Sequence, residues 1–247
     1  MRPTPSDPLS DDNTELLVVH SSDLHVDDGF TAREYGGDGT MGLAYVLAVA
    51  RLVAADLVIV AGDFFEHNRV PESLIERTAE HLAGAGRPVV ILPGNHDPAI
   101  AQSAFHRGAL GDIEGIHILG VTDEEAVFFP ALDLEVWGRA HLDYYDMTPL
   151  ERPRARTTRW QIATAHGHYE PAPDYGDAPH PSWLISDAEI AATGADYVAL
   201  GHWNRAQRVG NGEVRADYSG SPDLAGTVNL VRLMGDGGVR VTPHPVG

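Results

Sequence analysis

Three short apolar segments near the start of the chain limit the folds that it can adopt. They are LLVVH, DLVIVAGD and PVVILPGN, and each ends in polar or glycine residues. Continuous apolar runs of this length are typical of strands buried on both faces of a sheet. Helical segments separate them, over about residues 40–54 and from Pro71, which stands at a predicted first helical position. The sequence therefore predicts the order strand, helix, strand, helix, strand.

The second half of the chain predicts another sheet. The segments IHIL, EAVFF, LEVWG, RWQIATAH and DYVALGH are strand-like, with one helix near residues 186–193. An Asn-Gly and an Asp-Gly pair, each between alternating segments, predict two C-terminal hairpins. Two sheets packed face to face with helices outside accommodate all of these elements. We therefore predict an α/β fold, a four-layer α-β-β-α sandwich of two mixed sheets flanked by helices.

Length and local composition predict a single domain. The 247 residues suffice for one α/β core and are too few for two large ones. Residues 1–14 show no periodicity and are predicted to be a disordered tail, so the domain is expected to span residues 15–247. No apolar run reaches the ~18–20 residues of a membrane helix, and the N-terminus lacks the apolar centre of a signal peptide. We therefore expect a cytoplasmic protein without membrane contact.

Composition also narrows the chemistry. The chain has no cysteine, so a transition-metal site must use histidine, carboxylate and amide ligands. Such ligands suit manganese, magnesium, iron or zinc. The formal net charge of −19, with 36 acidic against 17 basic residues, disfavours nonspecific binding to nucleic acid. An acidic, well-solvated surface without any bearing on partners is the commoner explanation of such a charge.

Polar residues follow five of the predicted strands, and the loops after such strands converge on one rim of a sheet. Asp23 and His25, two residues apart in a segment predicted to be extended, are expected to point to the same side and chelate one ion. Gly62, before Asp63, permits close backbone approach. The candidate metal ligands are, in chain order, Asp23, His25, Asp63, Asn95, His166 and His202.

Asp63 is the candidate bridge between two ions. One carboxylate can join two divalent ions about 3.5–4 Å apart, and such a pair activates a hydroxide that attacks phosphorus. His96 stands next to this cluster and is the candidate catalytic residue, because it could bind the phosphate or protonate the leaving oxygen. Asp97 could orient the His96 ring, although a loop-stabilising role is more usual for such a carboxylate. Glu66 or His67 could reach the substrate.

The motifs DLH, GD, GNHD, HG and GH, in this order at strand ends, resemble the calcineurin-like metallophosphoesterase superfamily over about residues 16–222. Within that span, GDFFE, GNHDP, ALGHWNRAQ and YSGSPD are similar to the SbcD-type DNA repair nuclease subunits. The resemblance implies the sandwich fold, a manganese-preferring dinuclear centre and the ligand roles given above. It places His96 at the leaving-group position. It also implies an ATPase partner of the SbcC type.

The sequence departs from this family pattern at two places. Asn204 stands where the family has a second histidine, so binding of the ion shared by Asp23, His25 and Asp63 is expected to weaken. His168 is a possible substitute, and Asn204 itself is as easily a backbone-bonding residue as a ligand. The C-terminal DNA-capping region of SbcD-type nucleases is not expected, which argues against capture of double-stranded ends.

Three functional hypotheses follow. The first is a dinuclear metal-dependent phosphoester hydrolase, either a phosphodiesterase or a nuclease, which the YSGSP segment favours. The second is a phosphatase or phosphodiesterase for a small-molecule ester, which the acidic charge and the missing cap favour. The third is a weakly active or inactive metal-binding partner protein, suggested by Asn204 alone. The basic cluster at residues 152–159 is interpreted as a solvated loop, with phosphate steering as the alternative.

Overall fold

The computed structural model describes residues 15–145, 147–173 and 183–247, and the predicted tail at residues 1–14 lies outside them. The strands are β1 (Leu16–Ser21), β2 (Leu57–Ala61), β3 (Val89–Leu92), β4 (Ile116–Ile118), β5 (Ala126–Phe129), β6 (Leu134–Gly138), β7 (Trp160–His166), β8 (His168–Tyr169), β9 (Leu184–Ile185), β10 (Tyr197–Gly201), β11 (Gln207–Val209), β12 (Arg215–Tyr218), β13 (Thr227–Leu233) and β14 (Val239–Pro245). The helices are α1 (Phe30–Glu34), α2 (Met41–Leu52), α3 (Glu72–Ala83) and α4 (Asp187–Ala192).

The first sheet contains the predicted alternation of strands and helices. Its order is β14-β13-β1-β2-β3-β4, in which β1 to β4 run parallel and β13 and β14 are antiparallel to their neighbours. β4, from the segment IHIL, was expected in the second sheet. That prediction is wrong, because Ile116 pairs with Val89 of β3 and so extends the first sheet by one strand.

The second sheet has the order β11-β12-β10-β7-β6-β5. Its four central strands are parallel, whereas the edge strands β11 and β5 are antiparallel to their neighbours. Both predicted hairpins are confirmed, as β11 pairs with β12 across the Asn-Gly loop and β13 with β14 across the Asp-Gly loop. Each sheet is therefore mixed.

Side-chain alternation along the strands divides the interior into layers. In β1, Leu17 and Val19 face a core shared with α2 and α3, while Leu16 and Val18 face a core between the two sheets. The far face of the second sheet packs in a third core that includes Ile190 of α4. A period of two, buried on both faces, gives this arrangement directly. The four-layer sandwich predicted from the sequence is confirmed.

The helices begin and end close to their predicted positions. α2 lies inside the predicted residues 40–54, and α3 starts at Glu72, so Pro71 caps the helix instead of being its first residue. α4 begins with a capping box, in which Ser186 accepts from the Glu189 backbone and Glu189 accepts from the Ser186 backbone. No helix among the described residues is long and apolar enough to cross a membrane.

The basic cluster before β7 is part of the structural framework. Arg154 donates to the Glu135 carboxylate at 2.7 Å, and Glu135 is buried. Gln161 donates to the other oxygen of Glu135 at 2.8 Å. Gln161 is the second residue of β7, and a strand of this length spans roughly 20 Å from Trp160 to His166. Arg154, which is held beside Gln161 and Glu135, is therefore too far away to bind a phosphate at the end of β7.

We predict that Arg154→Met lowers the free energy of unfolding by roughly 2–3 kcal/mol, because it leaves a buried carboxylate with one partner. Arg152→Met is the matched control, since its pair with Glu151 is exposed and such pairs contribute about 0–1 kcal/mol. Urea denaturation of both variants measures the difference. Equal stability of the two variants would show that Glu135 does not depend on Arg154.

Candidate metal centre

The candidate site lies where loops after the central strands of both sheets meet. Asp23 donates its backbone N–H to Gly62 O at 3.0 Å, and His25 donates to Asp63 O at 3.0 Å, so the loops after β1 and β2 are joined. Asp23, His25, Asp63 and His202 all have φ in the left-handed region, at 54°, 45°, 49° and 109°. Such conformations are uncommon for residues other than glycine, and they concentrate at functional sites. The expectation of an extended Asp23–His25 segment is therefore wrong.

His166 joins the two sheets at the site. It ends β7 in the second sheet, and its Nδ1 donates to the carbonyl of Ala61, the last residue of β2 in the first sheet, at 3.0 Å. Its Nε2 lies 3.1 Å from Asp63 Oδ2 and 3.0 Å from Asn95 Oδ1. The ring is buried. The position of His166 thus depends on both sheets, and its outer nitrogen faces two oxygen atoms.

Gly62 makes this approach possible, as the sequence predicts. A Cβ atom at Gly62 would lie 2.0 Å from His166 Nδ1, which is inside the ring's van der Waals surface. Gly62 also has φ +93°, a conformation that favours glycine.

Asp63 lies at the centre of the candidate site. Its carboxylate belongs to two groups of residues that could each hold a metal ion. One group includes His25 and His96, and the other includes His166 and His202. Within each group one ligand atom per residue lies within 4.8 Å of the others. Asp63 Oδ1 also accepts the His96 backbone N–H at 2.9 Å. One carboxylate therefore faces histidines on both sides.

Glu66 is the polar neighbour of two of these histidines. Its Oε2 lies 2.8 Å from His25 Nδ1, and its backbone carbonyl accepts from His96 Nδ1 at 3.0 Å. His25 Nε2 is then directed toward Asp63 Oδ2, at 4.0 Å. Second carboxylates that hold the outer nitrogen of a ligating histidine are common in metal sites. His67, the other residue considered from the sequence, accepts the Arg69 backbone N–H.

Asp23 is buried beside these groups but is not a member of either. Its carboxylate accepts the His202 backbone N–H, with the shorter distance 3.0 Å, and the Ser22 hydroxyl at 2.5 Å. Ser22 in turn contacts the Ser219 hydroxyl at 2.9 Å. Sequence reasoning missed these two serines, although Ser219 lies in the YSGSP segment that it singled out.

Asp97 connects the loops after β2 and β3. Its buried carboxylate accepts from the backbone N–H groups of Phe65 and Gly94, both at 2.8 Å. Burial raises the pKa of Asp97 to about 7, and the nearby Asp63 charge adds to the effect. The hydrogen bonds correspond to the loop-stabilising role weighed from the sequence, and the His96 ring is held by Glu66 instead.

Burial and neighbouring charges shift the pKa values of the central residues Asp63, His166 and His202. Burial opposes a charge on His166, but the Asp63 carboxylate prevails and raises the pKa of His166 to about 9. Against the effect of burial, His166 keeps the pKa of Asp63 below its usual range. Burial lowers the pKa of His202 to about 4, assisted by the charge of His166. Neutral imidazole is the form that binds metal.

The pKa values of His25 and Asp23 also depend on burial and on neighbouring charges. The charges prevail at His25, whereas burial prevails at Asp23. Burial disfavours a charge on His25, but the hydrogen bond and charge of Glu66, with Asp63, raise the pKa of His25 to about 9. Burial also raises the pKa of Asp23, and the neighbouring Asp63 adds to it, while His166 acts in the opposite direction. The site therefore concentrates carboxylates that need a nearby positive charge.

The contacts of His166 test whether a cation fits. With its Nδ1 proton donated to Ala61, the ring directs Nε2 toward the oxygens of Asp63 and Asn95. A proton on Nε2 supplies the positive charge between these atoms when no metal is bound, and a divalent ion would replace that proton. Imidazole nitrogen, carboxylate and amide oxygen are together suitable ligands for a divalent ion. The residues present therefore fit a divalent metal.

Two other predicted residues lie at the edge of the site. His168 is exposed and accepts the Trp203 indole N–H at 3.1 Å through Nδ1. Asn204 is exposed and makes no hydrogen bond within residues 15–145, 147–173 and 183–247. Neither side chain forms part of the buried cluster around Asp63.

One histidine outside the predicted set belongs to the surroundings of the site. His141 is buried, its Nε2 donates to the His166 backbone carbonyl at 2.9 Å, and its ring packs at 5.6 Å from the His166 ring. No motif signals this residue, because it follows β6 in a loop that has no metal-ligand pattern.

Comparison with known proteins agrees with this geometry. A family model for calcineurin-like phosphoesterases matches residues 16–206, well over half of the chain. The chain belongs to the calcineurin-like phosphoesterase family. Members depend on divalent metals, and membership makes this phosphoesterase a metal-dependent hydrolase of phosphoric esters by class.

Curated relatives are components of a nuclease. The phosphoesterase is 26% identical to the SbcD component of the SbcCD nuclease of Bacillus subtilis over 84% of its own length and 61% of that protein. It is 25% identical to the SbcD component of the same nuclease of Escherichia coli K12 over 84% of its length and 60% of that protein. It thus spans about 60% of the length of these relatives.

Solved structures show the same fold. A crystal structure from Thermus thermophilus matches 93% of the phosphoesterase and 99% of that chain, with a TM-score of 0.56 and 12% identity. Another crystal structure matches 95% of the phosphoesterase and 100% of that chain, with a TM-score of 0.58 and 12% identity. Likeness at this identity concerns the fold alone.

We predict that Gly62→Ala destabilises the phosphoesterase by at least about 2 kcal/mol more than Gly86→Ala. Both positions have positive φ, and alanine there costs about 1–2 kcal/mol. The space beside Gly86 is open, whereas the new methyl at residue 62 must displace His166. Urea denaturation measures the difference, and calorimetric manganese titration should show weaker binding only for Gly62→Ala. Similar values for the two variants would contradict the close approach.

Proposed function

We propose that this protein hydrolyses a phosphodiester with two divalent metal ions, of which manganese is the preferred one. The observation that carries the proposal is the membership of Asp63 in two groups of converging ligand atoms. A carboxylate shared in this way is the arrangement that a dinuclear phosphoesterase needs. Iron, zinc and magnesium are compatible with the same oxygen and nitrogen ligands.

The residues divide between two ions that share Asp63. His166, His202 and Asn95 would hold one ion, since His166 Nε2 faces both Asp63 and Asn95. His25 and Asp23 would hold the other. When bound, the pair supplies positive charge for the phosphate oxygens and lowers the pKa of an attacking water.

His96 is proposed as the group that gives a proton to the leaving oxygen. Its Nδ1 hydrogen bond to the Glu66 carbonyl fixes the ring and leaves Nε2 available. The side chain is 40% exposed, so a substrate can reach it. Its backbone bond to Asp63 keeps it beside the two metal groups. Because His96 also lies within reach of His25 and Asp63, measurement of metal content must separate the two roles.

Asn204 would then account for unequal binding of the two ions. An amide oxygen is a poorer ligand than imidazole for manganese or iron. The exposed Asn204 side chain must also leave solvent before it can bind. We therefore propose that the ion held by Asp23 and His25 is the weaker one, and that activity needs added manganese.

The relatives suggest which ester is cleaved. Their name describes part of a nuclease, so a nucleic-acid phosphodiester is the first candidate substrate, and an SbcC-type ATPase is the candidate partner. A small-molecule phosphate ester is the second candidate, because a net charge of −19 opposes long-range attraction of a polyanion.

We predict manganese-dependent hydrolysis of bis(p-nitrophenyl) phosphate that exceeds hydrolysis of p-nitrophenyl phosphate, with single-stranded DNA as the third substrate. Asp63→Ala should remove metal binding and turnover together, because it removes the shared ligand. Glu114→Ala, an exposed carboxylate outside the site, is the matched control. Metal content by mass spectrometry and initial rates are the measurements. Wild-type metal content in Asp63→Ala would refute the bridging role.

We predict that His96→Ala keeps its metal and loses turnover by ~10²–10⁴, the usual contribution of a general acid. His117→Ala, a half-buried histidine paired with Asp123 outside the site, should retain both. Rates and metal content are measured on the same preparations. If metal is lost together with turnover in His96→Ala, then His96 is a ligand and not the leaving-group acid.

A further inference from the structure

A cleft opens beside the candidate metal centre, and Trp203 and Arg205 in its lining have no part in the proposed chemistry. Its volume is about 400 Å³, and it is lined by His168, His202, Trp203, Asn204 and Arg205. His202 also belongs to one of the two groups around Asp63. The cleft is therefore within reach of a substituent on a phosphorus atom bound at the metal centre.

A rigid aromatic surface forms the wall of the cleft. Trp203 is stacked on Tyr218, with ring centroids 4.4 Å apart and an angle of 12° between the rings. Tyr218 is buried, and its hydroxyl donates to the Gly167 carbonyl at 2.7 Å. The Trp203 indole N–H is bound to His168, and Tyr169 packs against the ring at 6.3 Å. The indole is thus fixed in place before any ligand arrives.

A cation lies over the indole. The Arg205 guanidinium is 5.1 Å from the Trp203 ring centroid, and since Tyr218 occupies one face, the guanidinium covers the other. Arg205 is exposed and forms no ion pair with any residue of the described part of the chain. In a protein with 36 acidic and 17 basic residues, an unpaired arginine beside a carboxylate-rich site is suited to binding an anion.

We propose that this cleft binds a nucleobase, stacked on the indole of Trp203, while Arg205 binds a phosphate of the same ligand. A planar ring takes the place that the exposed guanidinium occupies on the indole, and the guanidinium turns to the phosphate. Bases stack well on tryptophan without sequence preference, and arginine forks match phosphate oxygens. The proposal rests on the proposed phosphodiesterase function and adds the chemical class of one substituent on phosphorus.

The chain supplies a matched control for this geometry. Arg159 lies over Trp160, also 5.1 Å from the ring centroid, at the opposite end of β7 from the site. Trp160 is buried in the core between the sheets, so no ligand can stack on it. Removing Arg159 therefore tests the loss of an arginine over a tryptophan without affecting the cleft.

The test is calorimetric binding of AMP and of ribose 5-phosphate, which lacks the base, to the manganese-loaded protein. Free inorganic phosphate is measured after each titration so that hydrolysis of a probe is recognised. Trp203→Ala should weaken AMP binding about tenfold and change ribose 5-phosphate binding less than about twofold. Trp203→Phe keeps a stacking ring and should retain most of the AMP affinity. Arg205→Ala should weaken both probes, and Arg159→Ala neither.

Each other outcome overturns the proposal. If AMP and ribose 5-phosphate bind wild-type protein equally, or if Trp203→Ala weakens both equally, the base does not stack there, although the proposed function stands. If Trp203→Phe loses affinity as Trp203→Ala does, the indole has only a structural role. If wild-type protein with manganese binds neither probe, the cleft proposal fails, and hydrolysis of bis(p-nitrophenyl) phosphate decides separately whether the proposed function stands.

The same nucleobase chemistry can come from a mononucleotide ester or from the end of a nucleic-acid strand. A six-nucleotide oligoadenylate is the probe that separates these sources. Binding tighter than that of AMP, with the same loss in Trp203→Ala, assigns the cleft to a strand end. Binding equal to that of AMP assigns it to a mononucleotide.

Discussion

The contact on which the site depends is the insertion of the His166 ring between the two sheets. Its Nδ1 donates to the carbonyl of Ala61, the last residue of β2, and its Nε2 faces the Asp63 carboxylate. A single ring therefore links the rims of both sheets. This contact requires the open face of Gly62, since a methyl group would overlap the ring. The packing of two sheets face to face therefore creates the site, and the family's separate motifs become one cluster only in the folded protein.

Burial makes this cluster electrostatically demanding. Asp23, Asp63 and Asp97 are all buried within a few residues of the same rim, and a buried carboxylate is costly unless hydrogen bonds or positive charge compensate it. Asp97 obtains two backbone N–H groups, and Asp23 obtains a backbone N–H group and a serine hydroxyl. Asp63 has a single backbone N–H and otherwise faces histidines. Asp63 therefore depends on positive charge from its surroundings, which His166 supplies when protonated and a divalent ion would supply when bound.

The sequence predicted the fold because its strands carry strong local signals. The continuous apolar runs before Asp23, Asp63 and Asn95 predict buried strands and the rim at which these strands end. It did not predict the left-handed backbone at Asp23 and His25, which arises from hydrogen bonds to the neighbouring loop. Contacts between residues far apart in the chain, such as Ser22 with Ser219, are likewise set by tertiary structure and leave no periodic pattern. The placement of β4 depended on pairing that periodicity does not encode.

The YSGSP segment shows how one short motif can serve two parts of a site. Ser219 contacts Ser22, which donates to Asp23 on the metal side, while the adjacent Tyr218 supports the Trp203 indole on the cleft side. Successive residues of an extended segment point in opposite directions, so neighbours in sequence can reach separate features. The metal ligands and the proposed base-binding surface therefore share one rigid support. This physical coupling explains why the segment lies so near the chemistry although it contributes no ligand of its own.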